Sequence, residues 1–223
     1  VPRKTTTRER LITTAAELFR RQGYAQTGVN QIIREANATS GSFYHFFPAK
    51  EDLLLAVVNH LAEIFEVEIF DAAGKRSDDP LEELFAILDL YRLQLREGDF
   101  TFVSPMAGLS AEVSENHPEV RSRLAEIFAE WTARIERLLV DAGDRLPPSL
   151  DHASFARLVV CTMEGAVLGT RLNRDLAPFD AAAAQLRSYI GLLEDHTPPK
   201  VGAATARTEA STRQSRSSDW RSW

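Results

Sequence analysis

The sequence predicts an all-α protein, on three observations. Apolar residues recur every three or four positions through most of residues 7–194. No segment alternates apolar and polar residues between hairpin turns, as strands would. Gly23, Pro48, Gly74, Pro80, Gly98, Pro118 and Gly143 punctuate the periodic segments where helices start and stop.

The first helix is expected over Thr7–Gln22. Thr6 and Glu9 stand at capping-box spacing, in which each side chain satisfies a free backbone N–H of the first turn. Leu11, Ala15, Leu18 and Phe19 form its buried stripe, and Gly23 stops it. Thr27 is expected to open the second helix, whose apolar face is Val29, Ile32, Ile33 and Ala36. Asn37 takes the turn that follows, because Asn tolerates a left-handed backbone. Thr39 caps the third helix by accepting from a free N–H of its first turn. Phe43, Phe46 and Phe47 are its apolar anchors, while Ser40, Gly41, Ser42, Tyr44 and His45 face outward.

Pro48 separates this helix from a fourth over residues 50–70, with Leu54, Val57, Val58, Leu61, Ile64 and Phe65 on its broad apolar face. Its capping position is Ala49, which lacks a side-chain acceptor and so forgoes roughly 1 kcal/mol. Glu51 and Asp52 beside the positive end of the helix dipole offset part of that. Residues 74–79 form a turn, and Pro80 starts a fifth helix with Leu81, Leu84, Phe85, Leu88, Tyr91 and Leu95 inward. A short helical piece is expected at 105–114. A long helix over 118–142 keeps Val120, Leu124, Ile127, Phe128, Trp131, Ile135, Leu138 and Leu139 in 3.6-residue register. Two helices, at 151–172 and 178–194, close the fold. Beyond His196 the chain turns Thr-, Ser-, Ala- and Arg-rich, which predicts a disordered tail. The expected organisation is a head at 1–50, a helical body at 51–196 and the tail at 197–223.

Hydrophobic content of 44% is ordinary for a globular protein, and the net charge of −6 argues at first against nucleic acid. The average conceals a split. Residues 1–50 carry eight Lys/Arg against three Glu, a net of +5, whereas residues 51–196 carry 13 against 27 acidic residues, a net of −14. A basic head on an acidic body fits a protein whose head alone meets phosphates. A non-specific DNA-packaging protein should be basic throughout. No Gly-rich phosphate loop, nucleophile elbow, CxxC or ligand-spaced His/Glu cluster is present, so no enzyme, cofactor or metal site is expected. Cys161, the one cysteine, lies in the apolar run LVVCTMEGAVLG and is expected to be buried. No stretch reaches about 20 uninterrupted apolar residues, the length a membrane span needs. A cytoplasmic location is expected.

A short helix with a small, hydroxyl-rich outer face fits a DNA major groove. The run Gly41-Ser42-Phe43-Tyr44-His45-Phe46-Phe47-Pro48-Ala49-Lys50-Glu51-Asp52-Leu53, with Ala16–Phe19, Gly23-Tyr24, Thr27 and Ile32–Ala36, resembles the DNA-binding domain of TetR-family transcriptional regulators. TGVNQII followed by GSFYHFFPAKE is most similar to the LmrA- and YxaF-like branch. The likeness covers the first quarter of the chain; beyond Leu55 it is one of architecture.

The resemblance implies a helix-turn-helix head that reads a palindromic operator as a homodimer, and a body that binds a small-molecule effector. A repressor released by that effector is the leading expectation, with an activator or ligand-independent regulator as the alternative. Carried over by position, Thr39, Ser40 and Ser42 face the groove, and Tyr44, His45 and Lys50 contact phosphates. Thr27 and Asn30 are further phosphate ligands, and Arg3 and Lys4 a minor-groove arm. Ser40 stands where the family often has a longer side chain, which shortens the reach to bases. The expected effector pocket is lined by Phe65, Phe85, Phe102, Met106, Phe128, Trp131 and Met163. The expected dimer face is Gly165, Ala166, Gly169 and Leu172 with Leu186, Tyr189, Ile190 and Leu193, where Gly165 and Gly169, four apart, allow close helix approach.

Overall fold

The computed structural model describes residues 5–98, 109, 110, 112 and 116–196. Among these the protein is helical throughout, without strands. The head holds α1 (Thr7–Gln22), α2 (Val29–Glu35) and α3 (Ser40–Phe46). α4 (Lys50–Phe65) leads from head to body and runs on through a π turn, Glu66–Phe70, into a last turn, Asp71–Gly74. The body continues with α5 (Pro80–Glu97), α6 (Pro118–Asp141), α7 (His152–Asn173) and α8 (Ala177–Asp195). The piece expected at 105–114 lies mostly outside the described residues, as do the tail, Arg3 and Lys4.

Local chemistry fixes most boundaries. The Thr6–Glu9 capping box forms in both directions, at 3.2 and 2.7 Å. Asn37 adopts φ +49°, the left-handed turn its side chain tolerates. Asp79, with Pro80 behind it, caps α5 by accepting from the N–H groups of Leu81 and Glu82 at 3.0 Å. Ala49 offers α4 no acceptor, but the Asp52 carboxylate takes the Ala49 N–H at 2.7 Å, the reverse half of a capping box.

Three expectations shift. α2 is capped by Gly28, because Thr27 folds inward, 1% exposed, and its hydroxyl donates to Gly23 O at 2.7 Å. Phe43 and Phe47 are buried as expected, whereas Phe46 is 37% exposed. The fourth helix does not stay α-helical to residue 70. In an α-helix, positions five apart lie about 140° round the axis, which would turn Phe70 away from Phe65. The π turn brings them to one side, with ring centroids 5.7 Å apart and both buried.

α1 packs on α4, α4 on α6, α6 on α5 and α7, and α7 on α8. Bidentate contacts from Arg92 to Asp180 at 2.5 and 3.0 Å tie α5 to α8. α7 is by length and mean hydropathy (1.2) apolar enough to cross a membrane, yet it is built into this bundle with 44% of that stretch buried. Its remaining apolar surface faces outward and includes Cys161, which is exposed rather than buried. Helical periodicity alone cannot tell which of two apolar faces meets the chain's own core.

Candidate nucleic-acid interface

α3 is held from beneath. Phe43 and Phe47 pack into the head core with Leu11, Leu18 and Ile32. The Thr39 hydroxyl accepts the Ser42 N–H at 3.1 Å and lies 2.9 Å from the Ser42 hydroxyl. Arg10 of α1 donates to Ala36 O at 3.2 Å and Thr5 O at 3.3 Å, fastening the turn before α3 to the start of α1. Arg8 lies over the Phe47 ring, 5.5 Å from its centroid. Neither the Arg10–Ala36 nor the Arg8–Phe47 contact was legible from spacing, since the partners stand on different elements, 26 positions apart in the case of Arg10 and Ala36.

What remains outward is a polar strip. Thr39, Ser40, Gly41 and His45 are exposed, Tyr44 is 57% exposed and Ser42 is half-buried. A Cβ on Gly41 would meet only Thr39 Oγ1, at 3.9 Å, so nothing inside the fold demands glycine there. Asn30, in the first turn of α2, is exposed as well. Thr39, Ser40, Ser42, Tyr44 and His45 thus share one short helix, with Asn30 on its neighbour.

Two expected phosphate ligands are placed otherwise. The Thr27 hydroxyl is buried in the α1–α2 turn and also takes a hydrogen bond from Gln22 at 3.2 Å. Lys50 folds back on Tyr24: its Nζ donates to Tyr24 O at 2.6 Å and sits 4.0 Å from the Tyr24 ring centroid. Burial holds the Lys50 ammonium below the usual lysine range, against the opposing pull of Glu112. The same burial, with the Glu51 carboxylate, raises Tyr24.

The body grips the head at this turn. The Glu112 carboxylate accepts the Ala25 N–H at 3.0 Å, across 87 residues of sequence. It also covers Gly23, at φ +85°, where a Cβ would lie 3.0 Å from Glu112 Oε1. His117 places Nδ1 3.0 Å from Glu51 Oε1, and its ring meets the Tyr24 edge at 5.2 Å. Phe19 also packs edge-to-face with Tyr24, with ring centroids 5.2 Å apart.

Of the expected pocket, Phe65, Trp131 and Met163 come together, but packed. Phe65 stacks on Trp131 at 4.1 Å, Tyr91 closes the side at 5.0 Å from Phe65, and its hydroxyl donates to Glu164 at 2.9 Å. The cavity left among them is about 10 Å³, room for roughly one water. Phe85 lies elsewhere, under Arg187 at 4.6 Å, and Phe128 borders the core without lining this cavity. Phe102 and Met106 lie outside the described residues.

The expected dimer residues divide as well. Gly165, Leu172 and Tyr189 are exposed. Ala166, Leu186 and Ile190 face the chain's own core, and Leu193 is partly buried against it. Gly169 gives its close approach to Pro178 of the same chain, which would lie 3.1 Å from an added Cβ. Leu158, Cys161, Leu168 and Leu192 are exposed instead, so α7 shows an outward row at 158, 161, 165, 168 and 172.

A three-helix head whose exposed short helix follows a tight left-handed turn, fastened to a larger helical body, defines a helix-turn-helix DNA-binding regulator. Residues 11–57 match the model of the bacterial regulatory proteins of the tetR family, and residues 80–185 match the LmrA/YxaF-like C-terminal domain of transcriptional regulators. An HTH-type transcriptional regulator of Mycobacterium tuberculosis is 33% identical over 189 residues, 82% of this chain and 93% of that protein. HTH-type transcriptional regulator LmrA of Bacillus subtilis is 34% identical over 173 residues, 77% of this chain and 89% of that one. The crystal structure of a TetR transcriptional regulator from Chloroflexus aurantiacus superposes with TM-score 0.74 at 29% identity, covering 83% of this chain and 94% of that one. The chain belongs to the TetR family of transcriptional regulators, in its LmrA/YxaF-like branch. It is a regulator and not an enzyme, as are the relatives it matches.

Proposed function

We propose that the protein is a cytoplasmic homodimeric repressor that binds a palindromic operator and is released by a small molecule. The observation that carries the DNA reading is the outer strip of α3, polar and exposed on a helix anchored by Phe43 and Phe47. The head is residues 1–50 and the body 51–196. Thr39, Ser40 and Ser42 enter the major groove, and Gly41 lets the helix come close. Tyr44, His45 and Asn30 donate to phosphates. Lys50 braces the head through Tyr24, and Thr27 acts in the head core. The short Ser40 and Ser42 side chains favour water-mediated and methyl contacts over long bidentate ones.

One head reads only a few base pairs, so pairing two on one palindrome supplies specificity. The outward row of α7 with Tyr189 and Leu192 of α8 supplies an apolar face at the spacing of helix-bundle packing. Repression is favoured by the name of a relative, HTH-type transcriptional repressor DhaR of a Mycobacterium species, 23% identical over 182 residues. Fluorescence anisotropy with the DNA upstream of the protein's own gene, against random DNA over a salt series, tests the reading. A specific complex whose affinity falls steeply with salt is expected. Equal affinity for both DNAs at every salt concentration would sink it.

A further inference from the structure

We propose that the effector site is the cleft between head and body formed by α1, α4 and α7, and that it takes an elongated apolar molecule ending in an anionic group. This rests on the ligand-responsive reading and moves the site away from the aromatic body core. The core cavity, at about 10 Å³, holds no organic molecule without repacking. The α1–α4–α7 cleft measures about 440 Å³, within the range of small-molecule sites.

Its chemistry is divided. Phe19, Val57, Leu61, Ile64 and Leu109 supply an apolar wall. At the rim, Arg20 pairs with Glu17, and Glu112 is held by the Ala25 N–H. Arg21 and Arg171 also border the cleft, and among the described residues neither has a carboxylate partner. An apolar wall below two such guanidiniums suits a carboxylate or similar anion with a hydrocarbon body. A wider cleft of about 1080 Å³ opens between α1, α4 and α6, but Arg123 and Arg134 there are bridged to Glu126, Glu130, Glu66 and Glu83. Arg8 and Arg137 there form no salt bridge among the described residues either, but Glu9, Glu63, Glu66 and Glu130 balance the four arginines of that cleft. In the smaller one, Arg20, Arg21 and Arg171 outnumber Glu17 and Glu112.

The location supplies a way to act. Glu112 is at once a wall of the cleft and the group that holds the α1–α2 turn. Arg171 and Glu112 border the same cleft, so an anion held by Arg171 shares it with the Glu112 carboxylate. Repulsion between them favours the arrangement in which Glu112 has left Ala25 and the head is free to shift.

Decanoate is the probe, titrated into the full-length protein by calorimetry, with decyltrimethylammonium as the cation of equal chain length. One decanoate per protomer and no heat from the cation are expected. Arg171→Gln should weaken decanoate binding roughly tenfold to a hundredfold, the worth of a charge-assisted contact. Leu61→Trp should weaken binding by pushing a bulkier ring into the apolar wall, and Arg137→Gln in the wider cleft should leave it unchanged. Far-UV circular dichroism checks that each variant folds, and Arg171→Gln, at the rim, keeps the test sharp if Leu61→Trp does not. No decanoate binding, or binding indifferent to both cleft variants, overturns the proposal. A gel shift separates the readings: decanoate that binds in the cleft yet leaves the DNA complex intact refutes ligand release by this site's occupant and leaves the site standing.

Discussion

Tyr44 stands 57% exposed with its ring edge on Phe43 at 5.1 Å, so its hydroxyl stabilises nothing inside the head. Tyr44→Phe should therefore leave the melting temperature essentially unchanged and weaken operator binding by about 1.5–3 kcal/mol if the hydroxyl meets a phosphate. Lys50 behaves oppositely. Lys50→Ala removes both the donor to Tyr24 O and the cation over its ring, and should destabilise the fold by roughly 1–3 kcal/mol. Thermal melts beside anisotropy titrations of the two single variants separate a contact from a brace. Thr170 offers a third case. Its hydroxyl is buried, at 0% exposure, without a hydrogen-bond partner among the described residues. Thr170→Val keeps the shape and removes the cost, so stability should rise by about 1 kcal/mol, read as an upward melting shift of a few degrees. A fall in melting temperature would mean that the hydroxyl is satisfied.

The π turn of α4 is an element with one residue more than an α-helix needs, and Val67 within it is 58% exposed. Deleting Val67 should turn the segment into plain α-helix while Ile69 and Phe70 keep their inward positions. The protein should still fold, with a small melting shift. Deleting the exposed Ala129 in α6 should instead unfold it, since Trp131 and Ile135 would then swing about 100° away from the core with no extra residue to absorb the change. Denaturant curves of both variants decide it. The same elements mark what a sequence makes legible. The Thr6–Glu9 box, the Asn37 turn and the Thr39 cap were readable because each joins residues a few positions apart. The inward turn of Thr27, the outward turn of Phe46 and Cys161, and the burial of Ala166, Leu186 and Ile190 were not. Those depend on the phase of a helix against its neighbours, and a helix with apolar residues on two sides fits both phases. The Glu112–Ala25 contact was further out of reach, because no local pattern links positions 87 apart.

At the scale of the molecule, the exposed row on α7 sets the quaternary argument. Leu158, Leu168 and Leu172 are 52%, 50% and 77% exposed, beside Tyr189 and Leu192 on α8. Burying one such side chain fully is worth about 1.5–3 kcal/mol, so a face that doubles this set across a two-fold axis has the material for a stable dimer. Because the row is already solvent-exposed in the single chain, a charge placed in it should not disturb the chain's own fold. Leu168→Glu should keep its helicity and melting behaviour while sedimentation equilibrium shows the mass fall from dimer to monomer. In the dimer the two carboxylates would sit close together in an apolar interface, where like charges are costly. The monomer should then lose operator affinity by orders of magnitude, although every residue of α3 is intact, because the second head is no longer delivered to the second half-site. A Leu168→Glu protein that stays dimeric would move the interface elsewhere, and a monomer that binds the operator as tightly as the parent would refute the need for pairing.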